Sequence, residues 1–353
     1  MNPLYVVAAF VLIISVIVVI HELGHYLAAR CFGLIGRKFS LGFGKPLFSR
    51  VDKHGTRWQV APILLGGYVS FPGDDKKDPA REGEVTLDSL ARWKRAIVVG
   101  AGPGINFVLA ALLFALIAGV WGYPVGKPIV EQVAPNTAAS TIGIQPGDRL
   151  TKIGSTKITT AQDVTRAVIL KPGVRMNIQW ERNGEPMTAN AVISRTKYED
   201  QDGASAEVGV FGVVLPQSWK RASNPIEALT VGVSDGIFMT WAQVESLKQM
   251  VTGQRSVEEL SGPVRIARAS ARNLSMGALP FIYFMALISI AVGFMNLLPV
   301  PALDGGHLAT YAVEGAIGRD LSESTKKGMA IAGMATIGLL AIFALTLDVR
   351  ALT

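Results

Sequence analysis

The chain has 353 residues, of which 50% are hydrophobic and only 17% charged, and its mean hydropathy of +0.36 sets it apart from soluble globular proteins. Its net charge of +7 does not indicate nucleic acid, because the basic residues are scattered and the clustered ones flank apolar runs. One cysteine, Cys31, excludes an intramolecular disulfide and a cysteine metal cluster, and it is expected to pack as a small hydrophobe near a membrane surface.

The first element is an apolar run over residues 3–20 whose only polar side chains are Tyr5 and Ser15. With the turn that follows it is long enough to cross a hydrocarbon core, which needs roughly 20 residues. No basic residue precedes it and no small-residue cleavage site follows, so a membrane helix over residues 1–30 is expected in place of a cleaved leader. That helix ends in "HELGH". On a helix His21 and His25 stand at i and i+4, so both imidazoles can reach one zinc ion while Glu22 enters the same cleft. The bland alternative is two histidines near the membrane surface with Glu22 reaching for water. Ionisable groups at the end of a spanning helix are costly and usually functional, which favours the metal.

Residues 31–95 form the next segment. Around its Gly and Pro residues "FSLGFGKPLFSRVDKHGTRWQVAPILLGGYVSF" alternates apolar and polar, with a turn at 52–55, which predicts a membrane-associated β-hairpin. Its apolar tip, residues 61–71, is too short to span and can lie at membrane depth only where protein or a water-filled cavity covers its backbone. A charged loop, "PGDDKKDPAREGEV", follows. Arg30, Arg37 and Lys38 at one end of the segment and Arg92, Lys94 and Arg95 at the other assign it to the cytoplasm. The N-terminus, the long middle of the chain and the C-terminus are then extracytoplasmic.

A second span is expected over residues 96–120. Residues 126–216 differ in composition: strand patterns such as "RLTKIG" and "MNIQWERNG", separated by turn signals and a helical "TAQDVTRAVIL", predict a compact α+β module. Residues 223–275 have helical periodicity with scattered polar groups and suit surface amphipathic helices or helices packed on the spans. The third span is expected over 279–307 and the fourth over 328–348. The fold class is therefore a multi-pass α-helical membrane protein with four transmembrane helices, a membrane-associated β-loop and an inserted α+β domain.

A catalytic zinc takes three protein ligands and keeps one open position. The third ligand is sought at the end of the third span, in "GFMNLLPVPALDGGH". Pro299 and Pro301 break the helix there, and the break can turn Asp304 back toward the membrane interior. Asp304 is preferred, and His307 remains its rival. In "GPGIN" of the second span, Gly102 and Gly104 are expected to allow close helix packing and Asn106 to make an interhelical bond, with no catalytic part.

"HELGH" in the first span together with "NLLPVPALDGG" in the third resembles the site-2 protease family of intramembrane zinc metalloproteases. The order of parts, with a β-loop ending in "GGYV" and a second span opening with "GPGIN", is similar to the bacterial RseP type, the regulator of sigma-E protease. The resemblance implies that His21, His25 and Asp304 bind Zn2+ and that Glu22 is the catalytic acid/base. It also implies that Asn296 and the β-loop Gly66 and Gly67, continuing through Tyr68 and Val69, hold the substrate; for Asn296 a hydrogen bond within the bundle is the rival reading. The middle module resembles a PDZ domain in "PNTAASTIGIQPGDRLTKIGSTKI". It departs in being single where tandem modules are common, and in "TIGI" before the turn, which favours a steric role over peptide binding.

The implied activity is hydrolysis of a peptide bond within the transmembrane segment of single-span proteins, such as an anti-sigma factor or a remnant signal peptide, in the bacterial cytoplasmic membrane. Such a substrate arrives as a helix with its backbone internally bonded, and a strand edge over residues 63–71 would let it add as a strand once unwound. The alternative is a non-catalytic membrane scaffold that binds partners through its PDZ module. A transporter is disfavoured by the lack of an inverted repeat.

Overall fold

A computed structural model describes residues 2–74, 79–199, 205–259 and 262–350. Residues 75–78 of the charged loop and residues 260–261 of the stretch between the second and third spans lie outside these. The chain forms two compact units, one of residues 1–113 and 262–350 and another built on residues 114–261.

In the first unit, helix α1 (Pro3–Cys31) opens with Asn2, whose side-chain oxygen accepts the Leu4 N–H at 2.9 Å, and with Pro at the first helical position. It is apolar on all sides up to the histidines, as a buried or membrane helix must be. Cys31 ends it exposed, not packed as expected. The following segment is a four-stranded sheet, not a lone hairpin: β1 (Lys38–Phe43), β2 (Phe48–Val51), β3 (Arg57–Val60) and β4 (Ile63–Ser70), in the order β2-β3-β1-β4. The expected turn joins β2 to β3, and Asp52 holds it by accepting from the His54 and Thr56 amides and the Trp58 indole. β1 lies parallel to β3 and antiparallel to β4, so β4 is an edge strand with one ladder unpaired. Helix α2 (Arg92–Val120) follows and carries Pro103 within it.

The second unit contains, in chain order, β5 (Tyr123–Val125), β6 (Gln132–Val133), α3 (Ala138–Thr141), β7 (Arg149–Ile153), β8 (Thr156–Lys157), α4 (Ala161–Val168), β9 (Arg175–Arg182), β10 (Glu185–Val192), β11 (Ser194–Glu199), β12 (Ser205–Val210), β13 (Val213–Val214), β14 (Ser218–Lys220) and α5 (Pro225–Val251). Sheet β10-β9-β7-β8 covers a core that includes Leu150, Ile153, Ile178 and Trp180. Gly147 and Asp148 form the turn before β7, and the buried Asp148 carboxylate takes both arms of the Arg182 fork at 2.8 Å. β5 pairs with β14, closing the module at its base with Val125 opposite Ser218.

The first unit resumes with α6 (Pro263–Ser275), α7 (Ala278–Leu297), α8 (Asp304–Ile317) and α9 (Glu323–Arg350). α6 packs along α1 and so is part of the bundle. Asp348 near the end of α9 caps it, accepting from the Gly262, Val264 and Arg265 amides and the Arg265 guanidinium. Ile13 and Ile17 of α1 are fully buried in a cluster with Phe281 of α7. The expected third span is two helices: α7 stops at Leu297, and Asp304 begins α8 after a connection containing Pro299 and Pro301, whose missing amides and fixed φ interrupt an α-helix. Among the described residues four helices, α1, α2, α7 and Glu323–Asp348 of α9, are long and apolar enough to cross a membrane. Arg92 at the start of α2 pairs with Asp320 between α8 and α9, so these two loops share one end of the bundle.

Candidate metal centre

α1 delivers His21 and His25 from successive turns, with their rings edge to face at 4.8 Å between centroids. The Nε2 atoms lie 3.2 Å apart, and Asp304 Oδ2 stands 3.2 Å from His21 Nε2 and 3.6 Å from His25 Nε2. Asp304 reaches them because α8 restarts at that residue. Gly305 and Gly306 are the first turn of α8, packed against the carbonyls of Leu298 and Val300, where any side chain would collide. His307, the rival ligand, lines the same cavity but lies outside this cluster.

Among the described residues, His21, His25 and Asp304 are the group whose ligand atoms converge, within 4.8 Å of one another. The set fits zinc. A tetrahedral ion with bonds of about 2.0–2.1 Å separates neighbouring ligand atoms by about 3.3 Å, close to the spacings found, and two imidazoles with one carboxylate leave a fourth position open. The second nitrogens are also engaged: His25 Nδ1 donates to the Val98 carbonyl at 2.9 Å, and the Asn106 amide lies 3.2 Å from His21 Nδ1. Both rings therefore present Nε2 to the centre.

Glu22 lines the same cavity, about 610 Å3 in volume, together with Val69, Phe71, Asn296 and Tyr311. Its carboxylate accepts the Val69 N–H at 2.9 Å. Val69 is thus where the edge strand β4, which packs along α1, borders the cavity at Glu22. Of the β-loop residues expected to hold substrate, Gly67 carries no side chain because one would fall 2.6 Å from the Ser40 carbonyl oxygen, and Gly66 lies beside the Phe43 ring. The Tyr68 ring stacks on Phe43 at 6.0 Å. Asn296 sits near the end of α7, where its side chain borders the cavity.

The sequence assigns Gly102 to close helix packing and Asn106 to an interhelical bond; the bond is present, from α2 to α1, but its partner is His21 of the centre. Gly102 abuts the His25 ring, where a Cβ would stand 2.2 Å from Nε2, and Asn106 is fully buried beside His21. The signal was available in the spacing of "GPGIN", four residues from Gly102 to Asn106, which sets both on one helix face.

The profile described as Peptidase family M50 matches residues 9–340. A protein of Agrobacterium fabrum named "Putative zinc metalloprotease" is 38% identical over 361 residues, covering 98% of this chain and 96% of its own length. A Rhizobium meliloti protein of the same description is 35% identical, with 99% and 97% covered. Metalloprotease MmpA of Caulobacter vibrioides is 32% identical over 371 residues, 95% of this chain and 92% of its own.

Proposed function

The chain belongs to peptidase family M50, the zinc-dependent site-2 proteases, and from that premise we propose that it is an RseP-type intramembrane endopeptidase of the bacterial cytoplasmic membrane acting on single-span membrane proteins. In this reading His21, His25 and Asp304 hold the zinc, Glu22 is the acid/base, and Asn296 with Gly66, Gly67, Tyr68 and Val69 seats the substrate. The observation that carries it is the meeting of three converging ligand atoms, the Glu22 carboxylate and Val69 of the edge strand β4 in a single cavity among apolar helices.

Zinc, when bound, supplies a water whose pKa falls from 15.7 toward about 7 and polarises the scissile carbonyl. Glu22 takes the proton from the attacking water and returns it to the leaving amine nitrogen, the step that lets an amide depart as a neutral amine. Its hydrogen bond to Val69 N–H fixes its place relative to the edge of β4. A substrate strand added to that edge regains backbone hydrogen bonds lost on unwinding, each worth about 0.5–1.5 kcal/mol.

The middle module, residues 126–216, is a single PDZ-type domain on the extracytoplasmic side that excludes substrates with bulky external domains. The cytoplasmic segment 31–95 carries the β-sheet, and cleavage releases the cytoplasmic part of the substrate. A scaffold has no use for three converging ligands at membrane depth. The experiment is to reconstitute the purified chain with a single-span model substrate and map the cut by mass spectrometry. A cut inside the apolar segment is expected; cleavage only in the flanking aqueous segments contradicts the reading.

A further inference from the structure

α2 touches both histidines of the centre, and the two contacts differ in kind. His25 Nδ1 is fixed by a main-chain carbonyl, that of Val98, in the turn preceding Pro103. His21 Nδ1 meets a side chain, the amide of Asn106, at 3.2 Å. We propose that Asn106 is a positioning residue for the metal centre: its side-chain oxygen accepts the Nδ1–H of His21, which fixes the tautomer that leaves Nε2 free to bind the ion.

Three observations meet at this residue. Asn106 is fully buried, although a buried polar side chain is retained only where its hydrogen bonds count. It is held on its far side by α7, where the Ser289 hydroxyl donates to the Asn106 carbonyl at 2.8 Å and Gly293 leaves its Cβ just enough room. Its Oδ1 has no partner, whereas Nδ2 faces His21. A half-turn of the amide exchanges those two atoms without moving the rest of the side chain, and the two placements are indistinguishable by shape. With the exchange made, Oδ1 gains the donor it lacks, and His21 is locked as the Nδ1–H tautomer. Without it, the amide donates to Nδ1 and the ring proton sits on Nε2, where it competes with the metal. Metal-binding histidines generally donate their second N–H to a carbonyl or carboxylate, and loss of that partner typically costs 10–100-fold in metal affinity.

The proposal rests on His21 being a zinc ligand, and the test separates the two. Full-length protein is purified in detergent, stripped, and titrated with zinc against a chromophoric chelator; the visible bands of the cobalt-loaded form are recorded in parallel. Asn106→Leu, close in size and unable to accept, is expected to bind zinc about 10–100-fold more weakly and to shift the cobalt bands. Asn106→Asp, which accepts from Nδ1–H but cannot donate, is expected to stay within about threefold of the parent. That rescue excludes a merely structural role, and it decides the matter where Asn106→Leu fails to fold. His21→Ala is expected to abolish tight binding; tight zinc retained there overturns the ligand reading itself. With His21→Ala inactive in binding, parent-like affinity in Asn106→Leu or more than tenfold loss in Asn106→Asp overturns the proposal.

Discussion

At the scale of single residues, the centre depends on what is missing from α2 as much as on what α1 provides. Gly102 has no Cβ, and that vacancy is filled by the His25 ring. Gly102→Ala is expected to push His25 Nε2 out of place and to reduce turnover at least about 100-fold with a parallel loss of bound zinc, since displacements near 1 Å at a reacting centre cost that much. Gly104→Ala, where the added Cβ meets nothing within 4 Å, is the matched control and is expected to keep both zinc content and turnover near parental. Parental zinc and activity in Gly102→Ala would contradict this geometry. The histidine pair is legible in sequence because i and i+4 on a helix is a local relation. The choice between Asp304 and His307 is not, because it turns on the residue at which α8 restarts after Pro301. For Asn106 an interhelical bond is legible but its partner His21 is not, since that contact depends on how α1 and α2 cross.

At the scale of elements, the alternating pattern of residues 38–70 indicates strands and the turn at 52–55, and the β2-β3 hairpin forms there, but as half of a four-stranded sheet. β1 inserts between β3 and β4, in parallel with the former, and a parallel pairing between strands so close in sequence leaves no local signature. That insertion makes β4 an edge beside Glu22. Proline is tolerated on an edge strand, and the Val69 amide donates to Glu22. Val69→Pro is therefore expected to leave the sheet folded while removing both the Glu22 contact and one donor for an added strand. Cleavage of a single-span substrate should fall at least about tenfold in kcat/KM, and unchanged turnover would remove β4 from the mechanism. The third span shows the converse: Pro299 and Pro301 marked the break correctly, but the break separates two helices where one helix ending at 307 was expected.

At the scale of the whole molecule, composition and hydropathy alone indicated four helices able to cross a membrane, because apolar runs of this length have few other uses. The boundaries of the inserted module were less legible. β5 and β14 extend it on both sides of residues 126–216, and short strands at a stem carry little periodicity. The stem brings Val125 beside Ser218, so residues 127–216 can be replaced by a short Gly-Ser connection without parting their neighbours. If the module screens substrates by size, this deletion should allow cleavage of single-span substrates that still carry a folded external domain. Intact selectivity would refute that role. The central claim, that a zinc centre and Glu22 hydrolyse a peptide bond within the membrane, is tested most directly by comparing the parent with Glu22→Gln for zinc content and for cleavage of the same reconstituted substrate. The account predicts equal zinc and a loss of cleavage of about 100-fold to 10,000-fold, the range expected for losing a general acid/base; a zinc-loaded Glu22→Gln protein that cleaves at the parental rate would contradict it.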